Sequence, residues 1–77
     1  SITTEINITA QALANGNYLM NLPLPDKTLA VMVKRDEKYF VPKGKTILQE
    51  DDKLLIITDD LEALMQNMQN MGNPGKP

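Results

Sequence analysis

Two groups of side chains in this sequence have the types and spacing to do chemistry. Carboxylates gather at Glu50-Asp51-Asp52 and again at Asp59-Asp60, and cations gather at Lys34, Arg35, Lys38, Lys43 and Lys45, twelve residues that also hold Asp36 and Glu37. Adjacent carboxylates are hard oxygen donors suited to a divalent cation. A basic patch can receive a phosphate or an acidic surface, and Arg35 is the better phosphate contact because guanidinium presents a planar two-point fork. Each group also has a local reason to exist. Asp51-Asp52 suits a turn, Asp59 suits a helix N-cap, and lysines on a hairpin discourage edge pairing. Nucleophilic routes are closed: the chain has no His and no Cys, and its one serine is Ser1, so no hydroxyl or thiol has an imidazole base beside it. Gly16 and Gly44 are isolated, so no glycine-rich loop is available to cradle a phosphate. The inventory points to a binding module and not to an enzyme, with no metal site and no catalytic residue.

These side chains must be carried by small elements. From Ile2 to Ile8 the sequence alternates, with Ile2, Thr4, Ile6 and Ile8 on one face and Thr3, Glu5 and Asn7 on the other, which predicts a half-buried strand. Ala10, Leu13 and Ala14 fall at helical spacing, and Asn15-Gly16 should break that short helix. Pro23 and Pro25 then hold the chain extended. Leu29, Val31 and Val33 against Ala30 and Met32 make a strand apolar on both faces, as expected of a central strand. One face should meet the core and the other, with Ala30 and Met32, a second subunit. Asp36-Glu37-Lys38 reads as a turn, Tyr39-Phe40-Val41 as the return strand, Pro42-Lys43-Gly44 as a second turn and Thr46-Ile47-Leu48 as a short extended piece. Leu54 to Thr58 is the most hydrophobic strand. Leu61, Leu64, Met65 and Met68 follow at the spacing of an amphipathic helix. Its start carries Asp59 as the N-cap, with Glu62 completing a capping box.

Composition bounds the rest. Seventy-seven residues make one domain, and a chain this short buries only about 60% of its unfolded surface. Without cysteines no disulfide can compensate, which leaves association with a partner. A net charge of −2 and a sequence pI of about 4.8 argue against nucleic acid as a partner. The longest apolar run, Leu54-Leu55-Ile56-Ile57, is far short of the roughly 20 residues of a membrane span. No signal peptide is visible, and without an initiator Met the chain reads as a piece of something longer. Residues 1–71 read as the domain and 72–77 as a disordered tail.

Taken in order, the motifs form a recognisable set. Leu22, Leu24 and Pro25; Val31, Val33, Arg35 and Asp36; Val41, Pro42, Gly44, Thr46 and Leu48; and Asp52, Leu54 and Ile56 resemble the TrkA C-terminal (RCK-C) domain of potassium transport proteins. Glu5, Ile6 and Ile8 match that family's opening strand, and Gly16 with Leu19 fits its Gly-x-x-Leu. The resemblance spans about residues 3–65. It departs at two turns, where Glu37 and Asp51 stand in place of a usual glycine, and at Ala12 and Ala14 before Gly16. The resemblance implies a small α+β fold in the order β-α-β-β-β-β-α, with a mainly antiparallel sheet and a C-terminal helix. It also implies a homodimeric regulatory domain on the cytoplasmic side of the inner (plasma) membrane, attached to a membrane-embedded potassium or cation/proton transporter. Some family members bind cyclic di-AMP between protomers. Such a ligand would here be sought near Arg35, Pro42, Lys43 and Lys45. The rival reading is a stand-alone protein-interaction adaptor with no role in transport.

Overall fold

The computed structural model describes residues 1–70; the expected tail lies outside the described residues. Four strands and one helix form: β1 (Ile2–Asn7), β2 (Thr28–Arg35), β3 (Lys38–Phe40), β4 (Lys53–Thr58) and α1 (Leu61–Asn70), with single 3₁₀ turns at Gln11–Leu13 and Leu19–Asn21. The strands make one antiparallel sheet in the order β1-β4-β2-β3. The two interior places go to β4 and β2, whose side chains are apolar on both faces. The alternating β1 takes one edge and the three-residue β3 the other. Thr46–Leu48 is extended, yet it contributes only the single bridge Tyr18–Ile47 and no further strand.

One face of the sheet holds the core. Ile8, Ala12, Leu22, Val33, Leu48, Leu54, Ile56 and Leu64 form it, with Ile6, Leu61 and Met68 packed at its margin. Each fully buried Leu or Ile stabilises the fold by about 1.5–3 kcal/mol. The expected face of β1 is the observed one, since Thr4 pairs with Ile56 and Ile6 with Leu54. In α1 the predicted stripe is kept at Leu61, Leu64 and Met68, whereas Met65 is exposed.

The faces of β2 differ from the alternation read in the sequence. Ala30 pairs with Ile56, but Met32 pairs with Leu55, so Val31 is an extra residue with no place in the ladder. This bulge shifts the period by one. Ala30 and Val33 therefore both face the core, and Leu29 and Met32 share the opposite face. The expected pairing of Ala30 with Met32 on one contact face is corrected: only Met32 is there.

Two turns explain the missing glycines. Arg35 pairs with Lys38 around the two-residue loop Asp36-Glu37, and the left-handed residue in it is Asp36, at φ 56°. Glu37 therefore occupies a position that needs no glycine. Asp51 is also left-handed, at φ 75°, a conformation Asp tolerates better than most residues. Gly16 has φ 133°, and a Cβ there would stand 2.6 Å from Asn21 Oδ1, the atom that accepts the Tyr18 N–H at 3.0 Å.

The start of α1 is capped one residue later than expected. Asp60 Oδ1 accepts the Ala63 N–H at 3.0 Å, and Thr58 Oγ1 accepts the Asp60 N–H at 3.0 Å. Asp59 instead lies 3.2 Å from the Ser1 amino group. With Asp60 as the cap, Glu62 falls outside the capping-box position.

Candidate functional site

The chain's one arginine is the centre of a clasp between β2 and the connection to β4. Arg35, near the end of β2, is brought to face the residue just before β4. Its Nε donates to Asp52 Oδ1 at 2.8 Å and its Nη2 to Asp52 Oδ2 at 2.7 Å. Nη2 also donates to the Ile47 carbonyl at 3.0 Å, and the Gln49 N–H donates to Asp52 Oδ2 at 2.8 Å. Phe40 stacks under the guanidinium at 5.0 Å, an arrangement Arg favours. Asp52 is only 2% exposed, so it is not the exposed turn residue the sequence suggested; Asp51 is. The Asp52 backbone completes the junction, its carbonyl accepting the Ile8 N–H at 2.8 Å.

Burial pushes the Asp52 carboxyl up. The Arg35 hydrogen bonds, the Gln49 N–H and the Arg35 charge outweigh it, and hold the group below the usual carboxylate range. The hydrogen bond to Asp52 in turn raises Arg35. Both carboxylate oxygens are thus accepting from fixed donors, the condition under which a buried pair can hold together despite its desolvation.

The expected ligand residues fall into two places. Arg35 turns its Nε–Nη2 edge to Asp52, leaving Nη1 outside the clasp. Pro42 is buried. Lys43 and Lys45 are exposed on a turn closed by the Thr46 hydroxyl, which accepts the Lys43 N–H at 2.7 Å. That turn is pinned from behind, with Met20 donating to the Gly44 carbonyl at 2.9 Å and Leu48 to the Asn17 carbonyl at 2.7 Å. Exposed Tyr18, Met20 and Ile47 belong to the same two paired segments. The hairpin tip opens a separate recess lined by Arg35, Asp36, Glu37, Lys38 and Phe40, whose two cations are matched by two acids. The carboxylates do not converge, and among the described residues no three of them gather as a metal site.

The second feature is the bare face of the sheet, opposite the core. Leu29 is 63% and Ile57 38% exposed there, paired with each other, and Met32 pairs with Leu55 beside them. Lys34 and Lys53 stand directly opposite one another at the end of this apolar quartet. Like charges so placed destabilise a sheet. Among the described residues each lysine meets a neutral group, Lys53 at Asn7 Oδ1 at 3.1 Å and Lys34 at the Tyr39 ring at 5.7 Å. Among the described residues no helix is long and apolar enough to cross a membrane.

The Arg35–Asp52 clasp is what the sequence reading missed. Both residues stand in the motif set, but a partner seventeen positions away cannot be distinguished, from one sequence, from another acid in a polar turn.

Comparison with known proteins agrees with this architecture. No curated protein matches the chain. Seven chains of solved structures do. One, described as the structure of an RCK domain with cda, is 25% identical, superposes with a TM-score of 0.71, and covers 92% of this chain and 99% of its own. The family model of the TrkA-C domain matches residues 4–67. The clasp, the four-stranded antiparallel sheet and the C-terminal helix are thus those of a chain that belongs to the TrkA-C domain family.

Proposed function

We propose that this domain is the cytoplasmic regulatory module of a potassium or cation/proton transporter, and that it works as a homodimer through its bare sheet face. The observation that carries this reading is the apolar quartet on the interior strands β2 and β4, with Leu29 and Ile57 exposed and Met32 and Leu55 half-buried. An antiparallel sheet commonly turns one face to solvent and then carries polar residues there, so a contiguous apolar patch on the open face of β2 and β4 marks an interaction surface. A second protomer seated there supplies the burial that a domain of this size lacks. A change that favours one arrangement of the two protomers biases the attached membrane domain by its differential affinity for them. Sedimentation across the micromolar range tests the dimer. The expected result is a monomer–dimer equilibrium that Met32→Glu shifts to monomer; a strict monomer at the highest concentration, or a dimer indifferent to Met32→Glu, refutes it.

A second reading adds a ligand. The solved relative holds cda, and exposed Lys43 and Lys45 stand on a rigid turn near Arg35 and Pro42. We propose that a cyclic dinucleotide such as cyclic di-AMP is held there, its phosphates taken by the two lysines and by Arg35 Nη1. Calorimetric titration with cyclic di-AMP should give heat that the Lys43→Glu, Lys45→Glu double variant loses. Absence of heat with the unsubstituted chain removes this reading and leaves the dimer intact.

A further inference from the structure

The two edges of the sheet are built differently. The β3 edge is three residues long, opens with Lys38 and is followed closely by Pro42. Short length, lysine and proline are the devices that keep an edge from pairing with another chain. The β1 edge has none of them. It runs six residues, Ile2–Asn7, pairs with β4 in unbroken register, and carries Glu5 as its one charged side chain. Its β-branched residues favour a strand, and among the described residues its outer backbone groups have no strand partner in the sheet.

The β1 sequence also fits itself. Two copies meeting edge to edge about a two-fold axis are antiparallel, and like faces meet only when even positions oppose even and odd oppose odd. Of these registers, one centred on Thr4 places Thr4 opposite its own copy, Ile2 opposite Ile6, Thr3 opposite Glu5 and Ser1 opposite Asn7. Every strand residue is then paired, exposed Ile2 gains an apolar neighbour, and Glu5 meets a hydroxyl. Centring on Glu5 instead sets two carboxylates against each other, which is destabilising. Centring on Thr3 opposes Ile2 to Thr4, so exposed Ile2 gains no apolar neighbour, and it sets Ile6 and Asn7 beyond the start of β1.

We propose that β1 is a second self-association surface, pairing with β1 of another copy in the Thr4-centred register to continue the sheet across two protomers. This contact is separate from the bare-face dimer. Two-fold contacts at an edge and at a face can close together into a dimer of dimers.

Cysteine cross-linking tests the register against a background free of other thiols. Directly opposed residues have Cα atoms about 4.5–5.5 Å apart, within reach of a disulfide. Diagonal ones stand about 7–8 Å apart and are out of reach. Thr4→Cys should oxidise mostly to a disulfide-linked dimer. Thr3→Cys alone and Glu5→Cys alone should stay monomeric on a denaturing gel, while their equimolar mixture cross-links. The same pattern should persist when Met32→Glu is added, which separates this contact from the bare-face dimer. The Thr3 and Glu5 side chains lie on the outer face, so the mixture arm stands even where Thr4→Cys disturbs packing. Failure of both Thr4→Cys and the mixture to cross-link overturns the proposal, as does cross-linking of Thr3→Cys alone to the same extent.

Discussion

Replacing Asp52 by Asn removes one charge and changes almost no volume, so it isolates the clasp. The carboxylate accepts three hydrogen bonds, two from Arg35 and one from the Gln49 N–H. An amide group at Oδ2 would confront two donors, so the favoured orientation keeps the oxygen there and sacrifices the Nε bond at 2.8 Å. That bond is to a charged partner, worth about 1.5–3 kcal/mol. The guanidinium also loses its counter-charge, and breaking a buried pair costs about 3–5 kcal/mol in all. The Arg35 side chain is 29% exposed and that of Asp52 1%, so solvent relieves Arg35 in part and the lower end applies, about 3 kcal/mol. A domain of this length has a total stability of about 4–12 kcal/mol. At about 4–8 °C per kcal/mol for such a size, the melting temperature followed by circular dichroism should fall by roughly 12–24 °C. A cycle with Arg35→Met should be strongly non-additive, because each single change strands the other member of the pair and the double change strands neither. The sign of the pH effect follows from the depressed carboxyl. Its stabilisation is complete above the ordinary Asp value near 4 and is lost as pH falls through the lowered folded value. Asp52→Asn should flatten the acid limb of the stability profile below about pH 4. A drop under about 1 kcal/mol, or an additive cycle, would show that the clasp contributes no more than an ordinary surface pair.

Two further outcomes test the turns and the cap. Asp51→Gly relieves a left-handed residue at φ 75° and should raise stability by about 0.5–1 kcal/mol in urea unfolding, the strain removed exceeding the added chain entropy; a loss of stability would contradict this. Asp60→Ala should cost about 1 kcal/mol through the lost cap, measured by the same titration, with Asp59→Ala costing clearly less; the reverse order would restore Asp59 as the cap.

What could be read from the sequence was set by local signals. The alternation of Ile2 to Ile8 carries its own face assignment, and the 59–68 stretch shows helical spacing whatever surrounds it. Pro, Gly and Asp at the turns likewise report backbone needs that belong to one or two residues. Asp59 and Asp60 offered the same chemistry one position apart, so the choice between them rested on Thr58, which takes the Asp60 N–H. The faces of β2 were not legible for a different reason. Leu29 to Val33 is apolar throughout, and a period of two has no visible phase when both phases are hydrophobic. The candidate site suffered most, because its central contact is long-range: Arg35 reads as a phosphate ligand until the fold brings a buried carboxylate to it.

The extra residue at Val31 changes what length variation means in this sheet. Removing one residue from a regular strand inverts every side chain beyond the gap. Here β4 offers no counterpart to Val31, so a chain lacking it would still oppose Ala30 to Ile56 and Met32 to Leu55. Relatives one residue shorter at this point can therefore share the same core and the same bare face. A gap placed in an alignment at Val31 marks the loss of an offset, and the residues on either side remain true equivalents.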